Sequence, residues 1–240
     1  MTWLGAARHH VAVCASTMDE ADRLAKAGAK HGTVVRADAQ TKGRGRRGHT
    51  WAAPAGAGLS MSVVLRPQLP PAMVPPITLV TGIALCDVAR EFGCPASIKW
   101  PNDLLDARGR KLAGILSEMS TRGSDLDYVI VGIGVNLSGV PESVRDIATS
   151  ISEHGTEVTA AEFMERLLRG WQPWLERFFD QGVTGIADDW RARARLGGVV
   201  RCVESQVQGH AVDIDDDGAL LIEDSAGVRR RIVAGELSWE

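Results

Sequence analysis

The feature that most constrains this 240-residue chain is a change of texture at Gly198. Beyond it lie four short β-like runs, at 199–203, 207–214, 219–223 and 228–233, separated by Asp-Asp-Gly and Ala-Gly turns. Before it, β-branched runs alternate with stretches of helical periodicity. Two textures in one chain predict an α+β fold: a domain of mixed strands and helices over residues 1–195, followed by a compact, barrel-like β domain over 196–240.

Within the first part, 11–14 is a short apolar run. Thr17 and Glu20 then stand at capping-box spacing, so a helix follows, ended by Gly28 and Gly32, and 33–37 supplies a second strand. Leu59, Met61, Val63 and Leu65 alternate with Ser60, Ser62 and Arg66, which predicts a strand with at least one buried face, and Val64 blurs the pattern. Five prolines between Pro67 and Pro76 make a stiff connector before a largely buried helix at 77–92 that Gly93 stops. Residues 97–100, 112–119 and 128–135 read as further strands. Helical periodicity returns at 160–179 and again before Gly197.

Lys+Arg number 27 against 30 Asp+Glu, a net charge of −3, so no affinity for nucleic acid or membrane surfaces arises from bulk positive charge. Any basic site is local. Cys14, Cys86, Cys94 and Cys202 have neither metal-site spacing nor the density of a disulfide scaffold, which fits a reducing compartment. His9 and His10 interrupt any apolar leader, and no stretch of ~18 uninterrupted apolar residues is expected. The expectation is a soluble, cytoplasmic protein without a membrane partner.

The anomaly is Lys42-Gly43-Arg44-Gly45-Arg46-Arg47-Gly48, four cations among three glycines in an acidic protein. It matches G-x-G-x-x-G formally, but no helix opens after it and no acidic residue follows until Asp87. Nor is it a P-loop, because Lys42 precedes the glycines. Crowded arginines repel one another until a multiply charged anion joins them, and glycine lets backbone approach such an anion closely. An isolated basic run is more often a solvated turn, so neighbouring motifs decide. Lys99-Trp100-Pro101-Asn102-Asp103 presents polar side chains at a strand end, since Pro101 keeps Trp100 extended. Lys111 opens an apolar strand that carries Gly114, and Gly132 and Gly134 share one face of a strand ending in Asn136.

In order, Ser16-Thr17, Gln40, GRGRRG at 43–48 with Trp51, KWPND at 99–103, KLAGIL at 111–116 and GIGVN at 132–136 resemble the biotin protein ligase family. The resemblance implies a catalytic domain related to class II synthetases, with a mixed sheet and helices, and an SH3-like C-terminal domain. It implies that biotin and ATP give biotinyl-5′-AMP and pyrophosphate with Mg²⁺ as cofactor, and that biotin passes to one lysine of a biotin carboxyl carrier protein domain. Ser16, Thr17, Gln40, Gly43, Arg44, Arg46, Lys111, Gly114 and Gly134 are then the biotin contacts, with the last two glycines leaving room for its rings. Arg46, Trp51, Lys99, Asn102, Lys111 and Asn136 are the ATP or adenylate contacts, and Lys111, Arg46 and Asp103 the catalytic residues. No metal ligands are assigned. Met18 departs from the Asn usual after Ser-Thr. About fifteen residues precede Ser16, too few for the ~60-residue helix-turn-helix domain of some relatives, so DNA binding is not expected. Pairing of two chains through an exposed sheet edge stays open. The alternatives are a lipoate or octanoyl ligase or transferase, and a non-catalytic nucleotide-binding or RNA-binding protein.

Overall fold

The computed structural model describes residues 3–239. One sheet contains β1 (Arg8–Cys14), β2 (Thr33–Gln40), β3 (Gly58–Leu65), β4 (Ser97–Lys99), β5 (Asp103–Leu105), β6 (Lys111–Arg122) and β7 (Asp125–Asn136), in the order β1-β2-β3-β7-β6-β5-β4. β1 and β2 run parallel because α1 (Thr17–Lys26) crosses between them, and every other neighbouring pair is antiparallel. The cap of α1 is Ser16 rather than Thr17: Ser16 Oγ accepts the Met18 N–H at 3.3 Å, which frees Thr17 for other partners. β5 was not foreseen, since three residues carry no periodicity.

The sheet separates two cores. The larger holds Leu59, Met61, Val63 and Leu65 of β3 against α2 (Ile77–Glu91) and α3 (Ala160–Gln181), together with the fully buried Trp190 of α4 (Ala187–Arg191). The smaller sits under α1 and takes Val64 together with Met18, Ala21, Val35, Tyr128 and Ile130. Val64 therefore does not break the alternation of β3. It faces a second core, and β3 is buried on both sides.

α2 is buried nearly all round, as a helix without a polar face must be. Pro71–Glu91 is long and apolar enough to cross a membrane by mean composition, but Thr78, Thr81 and Asp87 interrupt it and it is mostly buried here as the central core helix. α3 starts at Thr159, whose Oγ1 accepts the Glu162 N–H at 3.1 Å, and buries Phe163, Leu167, Trp171, Leu175 and Phe178. Truncating a fully buried side chain such as Trp171 costs about 3–5 kcal/mol.

The C-terminal strands β8 (Val199–Cys202), β9 (Gln208–Ile214), β10 (Leu220–Glu223), β11 (Arg229–Ile232) and β12 (Leu237–Trp239) form a separate antiparallel sheet in the order β11-β10-β9-β8-β12. Its apolar face continues the larger core through Val200, Ala211, Leu220 and Leu237. The β9–β10 turn backs onto α2: a Cβ at Gly218 would stand 2.9 Å from Leu79 Cδ1, and the Gly218 carbonyl accepts Trp100 Nε1–H at 3.0 Å. That hydrogen bond ties the terminal sheet to the segment at 99–103.

Candidate functional site

α1 covers only part of its face of the sheet. Beside it, strand register aligns the small residues Ser60, Gly134 and Gly114 in one row and places Ser62 and Gly132 beside Leu116 in the next. The first row continues from Gly114 to Asp103 and from Asp103 to Lys99. At about 4.8 Å per strand, Gly134 and Lys99 stand roughly 14 Å apart along this line. A cleft of about 790 Å³ opens over it, lined by glycines at one end of the row and by charged side chains at the Lys99 end.

The uncharged end is a closed hydrogen-bond set. Gln40 Oε1 accepts the Thr17 N–H at 2.7 Å and Thr17 Oγ1–H at 3.2 Å, and Thr17 Oγ1 lies 2.8 Å from Ser62 Oγ. These groups suit a small polar head group in an otherwise apolar pocket, because each buried hydroxyl or amide already has a partner and a fixed direction.

Residues 43–51 form a strap. Gly45 N–H donates to the His49 carbonyl at 2.7 Å and Trp51 N–H to the Gly43 carbonyl at 3.0 Å, around a turn at Arg46–Gly48 in which Arg47 is left-handed, with φ 56°. Gly43 closes the strap: a Cβ there would lie 2.4 Å from the Trp51 carbonyl oxygen. The strap lays the Trp51 indole on the glycine row, where a Cβ at Gly134 would fall 2.3 Å from Trp51 Cε2 and one at Gly114 3.4 Å from Cζ3. Lys111 Nζ stands 5.8 Å from the indole centroid, and Trp51 Nε1 is buried without a hydrogen-bond partner among the described residues.

The cations differ in how they are matched. Arg44 pairs with Asp19 and, at 3.3 Å, with Glu118; Arg47 pairs with Glu204 of the terminal sheet; Lys111 Nζ pairs with Asp103 Oδ1 at 2.7 Å. Arg46 has only a 3.4 Å contact from NH1 to Asn102 Oδ1, and Lys99 has no ion pair among the described residues. Burial lowers the proton affinity of both below their usual values, with the Arg47 charge adding to the effect at Arg46. An incoming anion reverses that penalty.

The biotin/lipoate A/B protein ligase family matches residues 11–136, more than half of the chain, and the biotin protein ligase C terminal domain matches 203–238. The chain belongs to this ligase family. The biotin–[acetyl-CoA-carboxylase] ligase of Paracoccus denitrificans is 38% identical over 234 residues, covering 92% of this chain and 96% of the relative. That of Mycobacterium tuberculosis is 37% identical over 217 residues, covering 85% and 79%. The structure of the biotin protein ligase from Aquifex aeolicus in complex with biotin and ATP superposes with a TM-score of 0.82 at 29% identity, over 98% of this chain and 99% of that one.

Most of the residues that the ligase motifs single out come together. Ser16, Thr17, Gln40, Arg44, Arg46, Trp51, Lys99, Asn102, Asp103, Lys111, Gly114 and Gly134 all line the cleft. Gly43 and Asn136 do not. Gly43 acts through the strap's backbone, and Asn136 Nδ2 donates to the Thr149 carbonyl at 3.0 Å and the Lys111 carbonyl at 3.3 Å, fastening residues 147–149 beside β6. Ser62, Arg195 and Trp239 belong to the lining or its support but were not singled out from sequence. Ser62 was visible as the polar partner in the β3 alternation; the other two lack any local motif.

Proposed function

We propose that this chain activates biotin with ATP and passes it to a lysine of a carrier domain. The in-register row from Gly134 to Lys99 carries the proposal. It provides a small, ring-sized floor next to a polar head-group set, then leads within one cleft to unmatched cations, which fits a bipartite ligand of vitamin and nucleotide. In this reading Ser16, Thr17 and Gln40 bind the ureido end of biotin, and Trp51 leaves the glycine floor as the rings enter and stacks on the adenine, with Asn136 holding the adjoining loop.

In the first half-reaction a biotin carboxylate oxygen bonds to the α-phosphorus. The bond from that phosphorus to the bridging oxygen breaks, and the electron pair leaves on pyrophosphate. Two anions meet, so fixed positive charge lowers the barrier. Lys111, already directed by Asp103, and Arg46 supply it at the α-phosphate; Arg44 reaches the biotin carboxylate when its guanidinium leaves Asp19. Lys99 and Asn102 stand on the nucleotide side.

No group of three or more His, Cys, Asp or Glu side chains suited to a metal occurs among the described residues. The cleft does carry the carboxylates of Asp103 and Glu236, a donor set that fits Mg²⁺ held by phosphate oxygens, water and one or two carboxylates. When bound, Mg²⁺ would neutralise charge on the leaving pyrophosphate.

In the second half-reaction the carrier amine attacks the acyl carbon and AMP leaves. A free lysine has a pKa of ~10.4 and arrives protonated, so Asp103 takes or orients its proton. Arg46 and the strap keep water from the adenylate meanwhile. ATP supply and the four unpaired cysteines fit a cytoplasmic setting, with residues 1–195 as the catalytic unit and 196–240 as the second unit. The match at 203–238 favours biotin over lipoate.

The test is ATP-dependent transfer of labelled biotin to an isolated carrier domain, beside its Lys→Ala form and beside labelled lipoate. Label on the lysine-bearing carrier from biotin alone is expected; transfer from lipoate alone, or none from either, overturns the reading.

A further inference from the structure

We infer that Arg195 receives the β- and γ-phosphates of ATP and orients the departing pyrophosphate. The inference rests on the ligase reading above and adds to it a residue that lies outside every ligase motif.

The first ground is a census of charge in the cleft. Arg44, Arg47 and Lys111 are matched by Asp19 with Glu118, by Glu204 and by Asp103. A triphosphate brings more negative charge than Arg46 and Lys99 neutralise, and Arg108 and Arg195 are further cations of the lining that make no ion pair among the described residues; of the two, Arg195 continues the row of the site.

The second ground is placement. Ile98 N–H donates to the Arg193 carbonyl at 2.8 Å, Arg195 N–H donates to the Ile98 carbonyl at 2.8 Å, and Ile98 bridges Ala194 in parallel. The backbone at 193–195 thus adds to the free edge of β4. One residue further in that register, Arg195 is the neighbour of Lys99, and its charge acts on the Lys99 ammonium. The row Gly134–Gly114–Asp103–Lys99 therefore ends on Arg195, on the side away from the biotin pocket.

The third ground is construction. A Cβ at Gly109, where φ is +82°, would lie 2.8 Å from Arg195 NH1, so glycine leaves the slot that the guanidinium fills. On another side Arg195 Cζ stands 5.3 Å from the Trp239 ring centroid, and the ring itself fits because Gly198 has no side chain: a Cβ there would be 2.6 Å from Cζ3. Two glycines and a tryptophan from the terminal sheet hold one unmatched guanidinium at the cleft wall. A planar fork with fixed orientation is suited to bidentate contact with phosphate oxygens. As the α-phosphorus bond to the bridging oxygen breaks, the new charge on pyrophosphate develops toward Lys99 and Arg195.

Arg195→Ala and Arg195→Lys are to be compared with the parent protein in biotin-dependent exchange of labelled pyrophosphate into ATP. For Arg195→Ala, KM for ATP and Ki for pyrophosphate both rise about 10- to 100-fold, the loss of a charge-assisted hydrogen bond. Arg195→Lys falls between it and the parent. The Kd for biotin and the rate of transfer from preformed biotinyl-5′-AMP stay at parent values, which separates this role from mere packing under Trp239. Unchanged ATP and pyrophosphate constants overturn the inference, as does a loss of biotin affinity and transfer in step with them. A parent protein without exchange activity removes the ligase reading instead.

Discussion

Replacing Gly134 by alanine places a methyl group in the middle of the proposed biotin floor. Its Cβ would stand 2.3 Å from Trp51 Cε2, 2.6 Å from Cζ2 and 2.7 Å from Nε1, whereas packed carbon atoms keep about 3.5–4.0 Å. The indole must withdraw by more than about 1 Å even before a ligand arrives. It sits on the strap, outside the sheet, so the fold absorbs this; alanine also narrows the unfolded ensemble, by about 0.4–1 kcal/mol in favour of the folded state. The ligand has no such escape, because the methyl stays fixed between Ser60 and Gly114 on a central strand. Overpacking of this kind costs about 1–3 kcal/mol, or about 5- to 150-fold in biotin affinity at 1.4 kcal/mol per tenfold. Calorimetric titration with biotin reads it directly. Gly139→Ala is the control, since a Cβ there meets nothing within 4 Å. Biotin binding by Gly134→Ala within twofold of the parent, with the melting temperature preserved, would refute the placement of the rings on this floor.

Three further substitutions separate the steps. Lys111→Ala removes the cation that Asp103 holds at 2.7 Å and lowers pyrophosphate exchange by about 10²- to 10³-fold; exchange at the parent rate takes Lys111 out of the mechanism. Arg46→Gly shortens the residence of labelled biotinyl-5′-AMP while biotin affinity holds, and the released adenylate acylates bystander amines; equal residence times in variant and parent contradict the strap's retaining role. Asp103→Asn slows transfer from preformed adenylate by about 10²-fold or more, the usual contribution of a positioned base, and transfer at the parent rate removes that assignment.

Elements with a full period were legible in the sequence. α2 and α3 were, because fifteen and twenty-two residues repeat their apolar pattern several times, and so were the long strands β6 and β7. β5 and β12, three residues each, exist because neighbouring strands offer them hydrogen-bond partners, and no local pattern encodes that. Thr17 shows a similar limit. Its spacing to Glu20 is that of a cap, yet Ser16 caps the helix, and the Thr17 hydroxyl turns to Gln40 and Ser62, twenty-three and forty-five residues away.

The site was legible as motifs but not as a line. Lys99, Asp103, Gly114 and Gly134 stood in three separate segments, and each alone had a bland explanation in turn chemistry or tight packing. Strand register turns them into one row, and register depends on pairings that a single sequence does not display. The texture change at Gly198 marks where the second sheet begins, but no local pattern displays the contacts that sheet makes with the first. Its Glu204 holds Arg47 of the strap, its Gly218 carbonyl holds Trp100, and its Trp239 lies against Arg195. Those contacts join the strap and the Lys99 end of the cleft to the second sheet, so loosening the terminal sheet is felt first in nucleotide binding and strap closure, and only afterwards at the Thr17–Gln40–Ser62 end, which it does not touch.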